Sequence, residues 1–140
     1  MARPAVKELT QRELEVMHVF WTVGPANGAE VREQLAASGR HLAYTTVATL
    51  IRILSDKGFL KQTNAERPFQ FRPVRSFEEV SRSMVNDLVD RLFGGSREQL
   101  LARLFDERKL TVKERAALET LLERLPKRGE EKRSTRFGSP

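Results

Sequence analysis

The chain contains no cysteine and only two histidines in 140 residues. The lack of thiols excludes disulfides, a thiolate nucleophile and cysteine-based metal sites. No apolar run has the length of a membrane span, and Arg3 and Pro4 do not open the apolar stretch of a signal peptide. These absences together predict a soluble, cytoplasmic protein that holds no metal ion.

The chain also lacks the residue patterns of an enzyme. Neither His18 nor His41 is accompanied by carboxylates or thiols in a way that suggests a catalytic or metal site. There is no nucleophile elbow and no glycine-rich phosphate loop. We therefore expect a protein without catalytic residues and without a cofactor.

Positive charge is abundant and unevenly distributed, with a net charge of +6. Residues 1–75 hold 11 Lys and Arg against 7 Asp and Glu, and residues 126–140 hold 5 against 2. Residues 76–125 are nearly balanced. The basic excess of the N-terminal part favours an anionic partner, although charge alone is weak evidence for nucleic acid.

Three helices are predicted in the first half of the chain. Thr10 with Glu13, and Asn27 with Glu30, have the spacing of capping boxes and start the first two helices. The third helix carries a stripe of apolar residues at helical spacing, and Gly58 suits its C-terminal cap.

A short hairpin is predicted after the third helix. Residues 59–63 and 69–74 are strand-like runs, and a polar turn containing Arg67 and Pro68 joins them. Three helices followed by a hairpin is the element order of a winged helix-turn-helix. The predicted fold class is mainly α with a small β-hairpin, with the winged helix-turn-helix domain over residues 1–75.

A second module is predicted over residues 76–125. Further amphipathic helices begin at Ser76, Ser96 and Thr111, and three helices in about fifty residues cannot bury their apolar stripes alone. We interpret them as the helical dimerisation module of a two-fold symmetric homodimer. The alternative is that they fold back on the N-terminal domain as one larger monomer. Residues 126–140 are charged and contain Gly, Ser and Pro, so they are predicted to form a disordered basic tail.

The predicted dimerisation surface consists of apolar residues on these C-terminal helices. They recur at helical spacing, so each helix presents one apolar side. The residues are Val80, Met84, Leu88, Leu92, Leu101, Leu104, Leu118, Leu121, Leu122 and Leu125.

The third helix is predicted to enter the major groove of DNA, which admits one α-helix. Threonine presents a methyl group to thymine and a hydroxyl to bases or phosphates, and arginine suits a phosphate or a guanine. An ordinary solvated helix face is the less favoured alternative, because threonine is a poor residue for an exposed helix and glutamate is absent here. The candidate contact residues are Tyr44, Thr45, Thr46, Thr49 and Arg52.

Further candidates for DNA contact flank this helix. Arg67 at the hairpin tip and Lys61 on the first strand suit the backbone or a minor groove, and Thr10 and Arg12 suit phosphates. An ordinary solvated hairpin is nearly as good an interpretation of each hairpin residue taken singly. A winged-helix adaptor that binds proteins without specific DNA binding is the alternative function.

Several stretches of the chain together resemble the penicillinase repressor family of bacterial winged-helix regulators. They are LTQRELEVMHVFW, TTVATLIRILSDKGFL, FQFRPV, LVDRLFGG and LTVKERAALETLL, and they extend from Leu9 to about Leu125. The resemblance implies a homodimeric repressor in which each winged helix reads half of an inverted-repeat operator in double-stranded DNA, while the C-terminal helices intertwine. It also implies control of β-lactamase or related resistance genes, with a membrane sensor or protease as a partner.

The chain departs from two branches of that family. Members that respond to β-lactams are cleaved at an Asn-Phe bond in the second helix of the C-terminal module, where this chain reads Arg103-Leu104. Members that respond to copper carry a C-terminal cysteine cluster, which this chain lacks. Copper sensing through a cysteine cluster is therefore excluded on chemical grounds, and the operator and the inducing signal are left open.

Overall fold

The computed structural model describes residues 9–105 and 110–126, which belong to two compact units. The second unit begins at Ser96 and contains α5 (Arg97–Leu104) and α6 (Val112–Arg124). The predicted basic tail lies outside the described residues from residue 127 onward. The first unit contains α1 (Gln11–Val23), β1 (Ala26–Asn27), α2 (Gly28–Ala37), α3 (Tyr44–Asp56), β2 (Leu60–Gln62), β3 (Gln70–Pro73) and α4 (Phe77–Leu92).

Side-chain caps start the helices where the sequence predicts them. Thr10, Asn27 and Thr111 each accept a hydrogen bond from the backbone N–H three residues further on. The glutamate at that third position accepts from the N–H of the cap residue in return, which completes a capping box at all three helices. At Ser76 and Ser96 the hydroxyl oxygen accepts from the third residue in the same way.

A glycine closes the C-terminus of α3. Gly58 has a φ of 88°, in the region that favours glycine, and its N–H donates to the Ser55 carbonyl at 3.1 Å. The N–H of Phe59 donates to the Leu54 carbonyl at 2.9 Å, so the two bonds form a Schellman motif. The motif turns the chain from α3 directly towards β2 and carries Phe59 into the core, where it is fully buried.

The sheet has three strands, one more than the predicted hairpin. β2 and β3 pair in antiparallel fashion with Lys61 opposite Arg72, and β1 pairs with the other edge of β3. β1 is two residues long and its Asn27 also caps α2, so an alternating pattern could not reveal it in the sequence. The mainly α winged helix-turn-helix fold with a small antiparallel sheet is confirmed.

The core of the first unit lies between α1, α2, α3 and the sheet. Its largest fully buried side chains include Phe20, Phe59, Met17 and Leu54. Val80 of α4 joins the same core at 1% exposure, so the first turns of α4 are packed on the winged helix. None of the helices in the described part of the chain is both long and apolar enough to cross a membrane.

Candidate nucleic-acid interface

The exposed side of α3 and the loop between β2 and β3 enclose one concave surface. Its cavity has a volume of about 820 Å³ and is lined in part by Tyr44, Thr49 and Arg52 of α3 and by Arg67 of the loop. We call these four residues the recognition surface. The guanidinium carbon of Arg67 lies 5.1 Å from the ring centroid of Phe69, which also lines the cavity.

α3 is amphipathic, as predicted, with its apolar side buried and its polar side exposed. Val47 and Leu54 are fully buried against the rest of the first unit, whereas Thr45 and Thr49 are exposed. Thr45 does not line the cavity, and Thr46 is half-buried at the margin of the exposed side. The packing of the apolar side therefore leaves hydroxyl groups at the surface of the helix.

The start of α2 determines where the Tyr44 ring lies. A Cβ atom built on the buried Gly28 would meet Cε1 of Tyr44 at 3.2 Å, so the ring occupies the space that a side chain there would need. Tyr44 as a whole is 49% exposed. Gly28 thus lets a large side chain in the first turn of α3 lie against α2 and still face solvent.

The side chain of Asn64 closes the loop that carries Arg67. Its Nδ2 donates to the carbonyls of Glu66 at 3.0 Å and Pro68 at 3.2 Å, and its Oδ1 accepts from the N–H of Gln70 at 2.8 Å. These bonds fix the backbone on both sides of Arg67. The sequence showed only that residue 64 lies in a polar turn. Asparagine at the start of such a turn was a signal for this closure, because its side chain commonly bonds to the backbone of the turn.

Arg52 has an acidic neighbour on its own helix. Its Nη1 lies 3.9 Å from Oδ2 of Asp56, one helical turn further on, and both side chains are exposed. Exposed pairs of this kind contribute about 0–1 kcal/mol. The guanidinium can therefore exchange Asp56 for an anionic ligand such as a phosphate at little cost.

Besides Thr45 and Thr46 of α3, three predicted DNA-contact residues on other elements lie outside the concave surface. Lys61 is exposed on β2, and Arg12 is exposed in the first turn of α1. The N–H of Thr10 donates to Glu13, and the Thr10 hydroxyl oxygen accepts from the N–H of Glu13. Because the Thr10 N–H is engaged within the chain, we do not carry Thr10 forward as a phosphate ligand, whereas Lys61 and Arg12 stay predictions.

Two carboxylates of α1 hold the segments at both ends of α3. Glu13 Oε1 accepts from Nζ of Lys57, the C-cap residue of α3, at 3.0 Å. Glu15 Oε2 accepts from Nη2 of Arg40, in the turn before α3, at 2.7 Å. Sequence reasoning missed both pairs because the partners lie 44 and 25 residues apart along the chain, beyond the reach of any local pattern.

The pair of Glu15 and Arg40 leads to a prediction about pH. The hydrogen bond from the Arg40 guanidinium favours the ionised carboxylate and lowers the pKa of Glu15. The pair therefore stabilises the fold above the unfolded pKa of about 4.3, and this contribution is lost as the pH falls through the lower folded pKa. We expect Glu15→Gln to reduce the pH dependence of the free energy of unfolding below about pH 5, measured by denaturant titration. Identical pH dependence in the two proteins would refute this role for the pair.

The predicted dimerisation residues fall into two groups. Val80 and Met84 pack against the core of the first unit, because α4 begins against α1, where the ring of Phe77 contacts Trp21. Val80 is therefore buried within its own chain and cannot contact a second one, whereas Met84 keeps part of its surface. The others are exposed, except for the half-buried Leu118: Leu88, Leu92, Leu101, Leu104, Leu121, Leu122 and Leu125.

Comparison with known proteins identifies the family. Residues 9–124 match the family model described as penicillinase repressor. The chain belongs to the penicillinase repressor family. The transcriptional regulator BlaI of Mycobacterium tuberculosis (strain ATCC 25618 / H37Rv) is 33% identical over 96 residues, which cover 67% of this chain and 69% of that protein. An uncharacterized 16.5 kDa protein of Latilactobacillus sakei is 31% identical over 115 residues, which cover 82% of this chain and 78% of that protein.

A solved structure with a TM-score above 0.5 supports the fold of this penicillinase repressor family member. The complex structure of hsRosR-SG aligns with a TM-score of 0.52 at 15% identity and covers 85% of this chain and 93% of that chain. The solution structure of the DNA-binding domain of the repressor BlaI aligns with a TM-score of 0.47 at 26% identity, over 56% of this chain and 93% of that chain. Family membership makes the protein a winged-helix transcriptional repressor and not an enzyme.

Proposed function

We propose that this repressor acts as a homodimer that reads an inverted-repeat operator in double-stranded DNA. The observation that carries the proposal is the recognition surface, where Tyr44, Thr49 and Arg52 of α3 and Arg67 of the loop line one cavity. α3 enters the major groove, and Arg67 reaches the backbone or the adjacent minor groove. The site of action is the cytoplasm, where the operator is accessible.

The charge of α3 favours DNA over an acidic or apolar protein partner. No acidic residue occurs between Tyr44 and Ser55, and Asp56 is the last residue of the helix. A carboxylate in the first turns would repel phosphates, whereas hydroxyl and guanidinium groups can donate to them. A protein-interaction adaptor has no need to exclude acidic residues from this side of the helix.

Homodimerisation is assigned to the C-terminal helices. Neither α5 nor α6 contains a buried residue, and Leu104 and Leu125 are each 61% exposed. Several exposed leucines on two neighbouring helices in the chain favour an interaction surface, and a second copy supplies the two-fold axis that an inverted repeat requires. A membrane sensor or protease partner stays a prediction of the family resemblance.

The bond between Arg103 and Leu104, at the position where β-lactam-responsive family members are cleaved, lies in the last turn of α5.

Replacement of Arg52 by alanine tests the assignment of α3. We expect Arg52→Ala to weaken binding to most duplexes and to reduce the slope of log affinity against log salt by about one unit, because one phosphate contact is lost. The measurement is fluorescence anisotropy of a labelled duplex over a series of salt concentrations.

Two control variants sharpen this experiment. Arg82→Ala removes an exposed arginine of α4 outside the recognition surface and should leave the slope unchanged. Asp56→Asn removes the carboxylate 3.9 Å from Arg52 and should increase affinity. A folded, dimeric Arg52→Ala protein with unchanged affinity and slope would show that Arg52 does not contact phosphate.

A further inference from the structure

The cavity of the recognition surface contains more apolar surface than contact with DNA requires. Tyr44, Phe69 and Phe71 contribute three aromatic side chains to its lining, and Ala48 and Pro68 contribute aliphatic surface. Tyr44 is exposed, and Phe69 and Phe71 are partly exposed. Phosphates and base edges are bound largely through hydrogen bonds from polar groups of the protein. The aromatic side chains are therefore better explained by a ligand that has apolar surface of its own.

The cavity also has the size of a small-molecule site. Its volume of about 820 Å³ lies within the range of about 300–1,000 Å³ that is usual for ligand pockets. Such pockets are lined mainly by apolar and aromatic side chains, with a few polar groups that fix the ligand. Its lining residues lie between Gly28 and Phe71, all within the first compact unit. One compact unit therefore supplies the whole lining.

The charges around the cavity favour an anionic ligand. Of the described residues that line it, Arg52 and Arg67 are basic and Asp56 is acidic. Asp56 lies 3.9 Å from Arg52 in an exposed pair, which an anion can displace at little cost. The Arg67 guanidinium lies 5.1 Å from the ring centroid of Phe69, so positive charge and aromatic surface occur side by side. A ligand that combines a carboxylate with a planar ring system matches both features.

A hydroxyl group beside the cavity has no hydrogen-bond partner. Ser55 of α3 lines the cavity, and its Oγ is buried without a partner in the part of the chain that the structure describes. Leaving a buried polar group unpaired is unfavourable, and a serine hydroxyl can turn to another staggered position about χ1. A carboxylate bound in the cavity would supply the acceptor that this hydroxyl lacks.

We propose that this cavity binds a planar aromatic carboxylate and that the bound ligand excludes DNA. The exclusion rests on the proposed function, because it requires that α3 and Arg67 contact DNA. With α3 in the major groove and Arg67 at the backbone or in the adjacent minor groove, the intervening sugar–phosphate strand crosses the cavity. The carboxylate of the ligand takes the place of a phosphate beside Arg52 and Arg67. Such a ligand acts as an inducer by direct competition with the operator.

The test uses the full chain and 2-naphthoate as the probe. Amide NMR titration without DNA measures binding, and anisotropy of the selected operator duplex measures competition. Sodium chloride keeps the ionic strength constant, because added ions alone weaken DNA binding. We expect 2-naphthoate to shift the resonances of the cavity residues with a Kd of about 1 mM or tighter. At ten times this Kd it should raise the apparent Kd of the duplex about tenfold.

Three further compounds test the chemistry of the ligand. 2-Naphthalenemethanol lacks the charge, cyclohexanecarboxylate lacks the aromatic rings, and inorganic phosphate lacks any apolar surface. Each should bind at least about tenfold more weakly than 2-naphthoate, because it loses either the contacts with arginine or those with the rings. Phosphate that binds as tightly as 2-naphthoate would show only an anion site of the DNA interface and would overturn the proposal.

Substitutions in the lining test where the ligand binds. Phe71→Leu keeps an apolar side chain but removes a ring, and it should weaken binding of 2-naphthoate about three- to tenfold. Ser55→Ala changes an α3 residue outside the buried core and should weaken binding by a similar factor. Phe77→Leu is the matched control, since it removes an exposed phenylalanine of α4 outside the cavity and should retain the wild-type affinity.

The outcomes separate the ligand site from the underlying function. A wild type that binds its operator but not 2-naphthoate would overturn the ligand site and leave the proposed function intact. Wild-type affinity for 2-naphthoate in both folded lining variants would likewise overturn the placement of the ligand. Simultaneous binding of 2-naphthoate and duplex would overturn the exclusion. Binding of 2-naphthoate at the cavity by a protein that selects no DNA would support the ligand site and overturn the proposed function.

Discussion

Replacement of Leu121 by aspartate is expected to convert the dimer into a monomer and to weaken operator binding by about 10²–10⁴-fold, the usual gain from linking two binding sites. Leu121 is 53% exposed on α6, on the same side of the helix as Leu118, Leu122 and Leu125. At a two-fold interface the substitution would bury an unpaired carboxylate in both chains. Sedimentation equilibrium measures the oligomeric state, and anisotropy with the selected operator measures the affinity.

Thr120→Asp is the matched control for this variant. It adds the same charge to the same helix at an exposed position on the opposite side from Leu121 and its apolar neighbours. The control should stay dimeric and bind the operator as the wild type does. If Leu121→Asp is dimeric and binds with wild-type affinity, α6 does not form the interface.

Replacement of Lys57 by methionine is expected to lower the free energy of unfolding by about 2–3 kcal/mol. This is less than the cost of breaking a fully buried ion pair, because Lys57 is partly exposed. Its Nζ lies 3.0 Å from Oε1 of Glu13, whose side chain is almost fully buried. The variant would retain the hydrogen bond from the N–H of Thr10 to Glu13 but would remove the cation that offsets the buried charge. Urea denaturation measures the loss, with an unchanged m-value as evidence that the unfolding reaction is the same.

A double-mutant cycle isolates the contribution of this ion pair. Glu13→Gln keeps the shape of the side chain and removes its charge, so Lys57→Met should cost less in that background than in the wild type. Lys61→Met is the control, since it removes an exposed lysine of β2 and should change stability by less than about 0.5 kcal/mol. Strictly additive effects of the Glu13 and Lys57 substitutions would show that the two residues are not coupled.

The parts of the fold that depend on local interactions could be predicted from the sequence. Thr10 and Asn27 start helices because a hydroxyl or amide oxygen can reach the N–H three residues further on, a geometry contained within one turn. Gly58 ends α3 because a positive φ is required within the same few residues. These local rules, together with the apolar stripe of α3, were sufficient to predict the winged-helix fold.

The parts that depend on distant contacts could not be predicted in the same way. An apolar stripe shows which side of a helix is buried but not what buries it. For this reason Val80 of α4 was assigned to a second chain, although it is buried in the winged-helix core of its own chain. The same limit applies to Arg75, which makes contacts with Trp21 and Phe59 that no sequence period encodes.

The candidate site could be predicted only in part from the sequence. The exposure of Thr45, Thr49 and Arg52 followed from the apolar spacing of α3, since their positions are fixed once the buried side is known. That Arg67 would line the same cavity depended on the antiparallel pairing of β2 with β3 and on the loop closed by Asn64. The sequence could indicate the residue but not the bonds that position it.

The central claim is that the dimer reads two half-sites, and selection of bound duplexes from a random DNA library tests it most directly. The full chain is incubated with the library at moderate salt, and the recovered duplexes are sequenced. Enrichment of an inverted repeat is the result that we predict. Recovery of unselected DNA that is lost on raising the salt concentration would indicate nonspecific electrostatic binding and would contradict the claim. Recovery of no DNA by a folded protein would contradict it as well, and would favour a winged-helix adaptor.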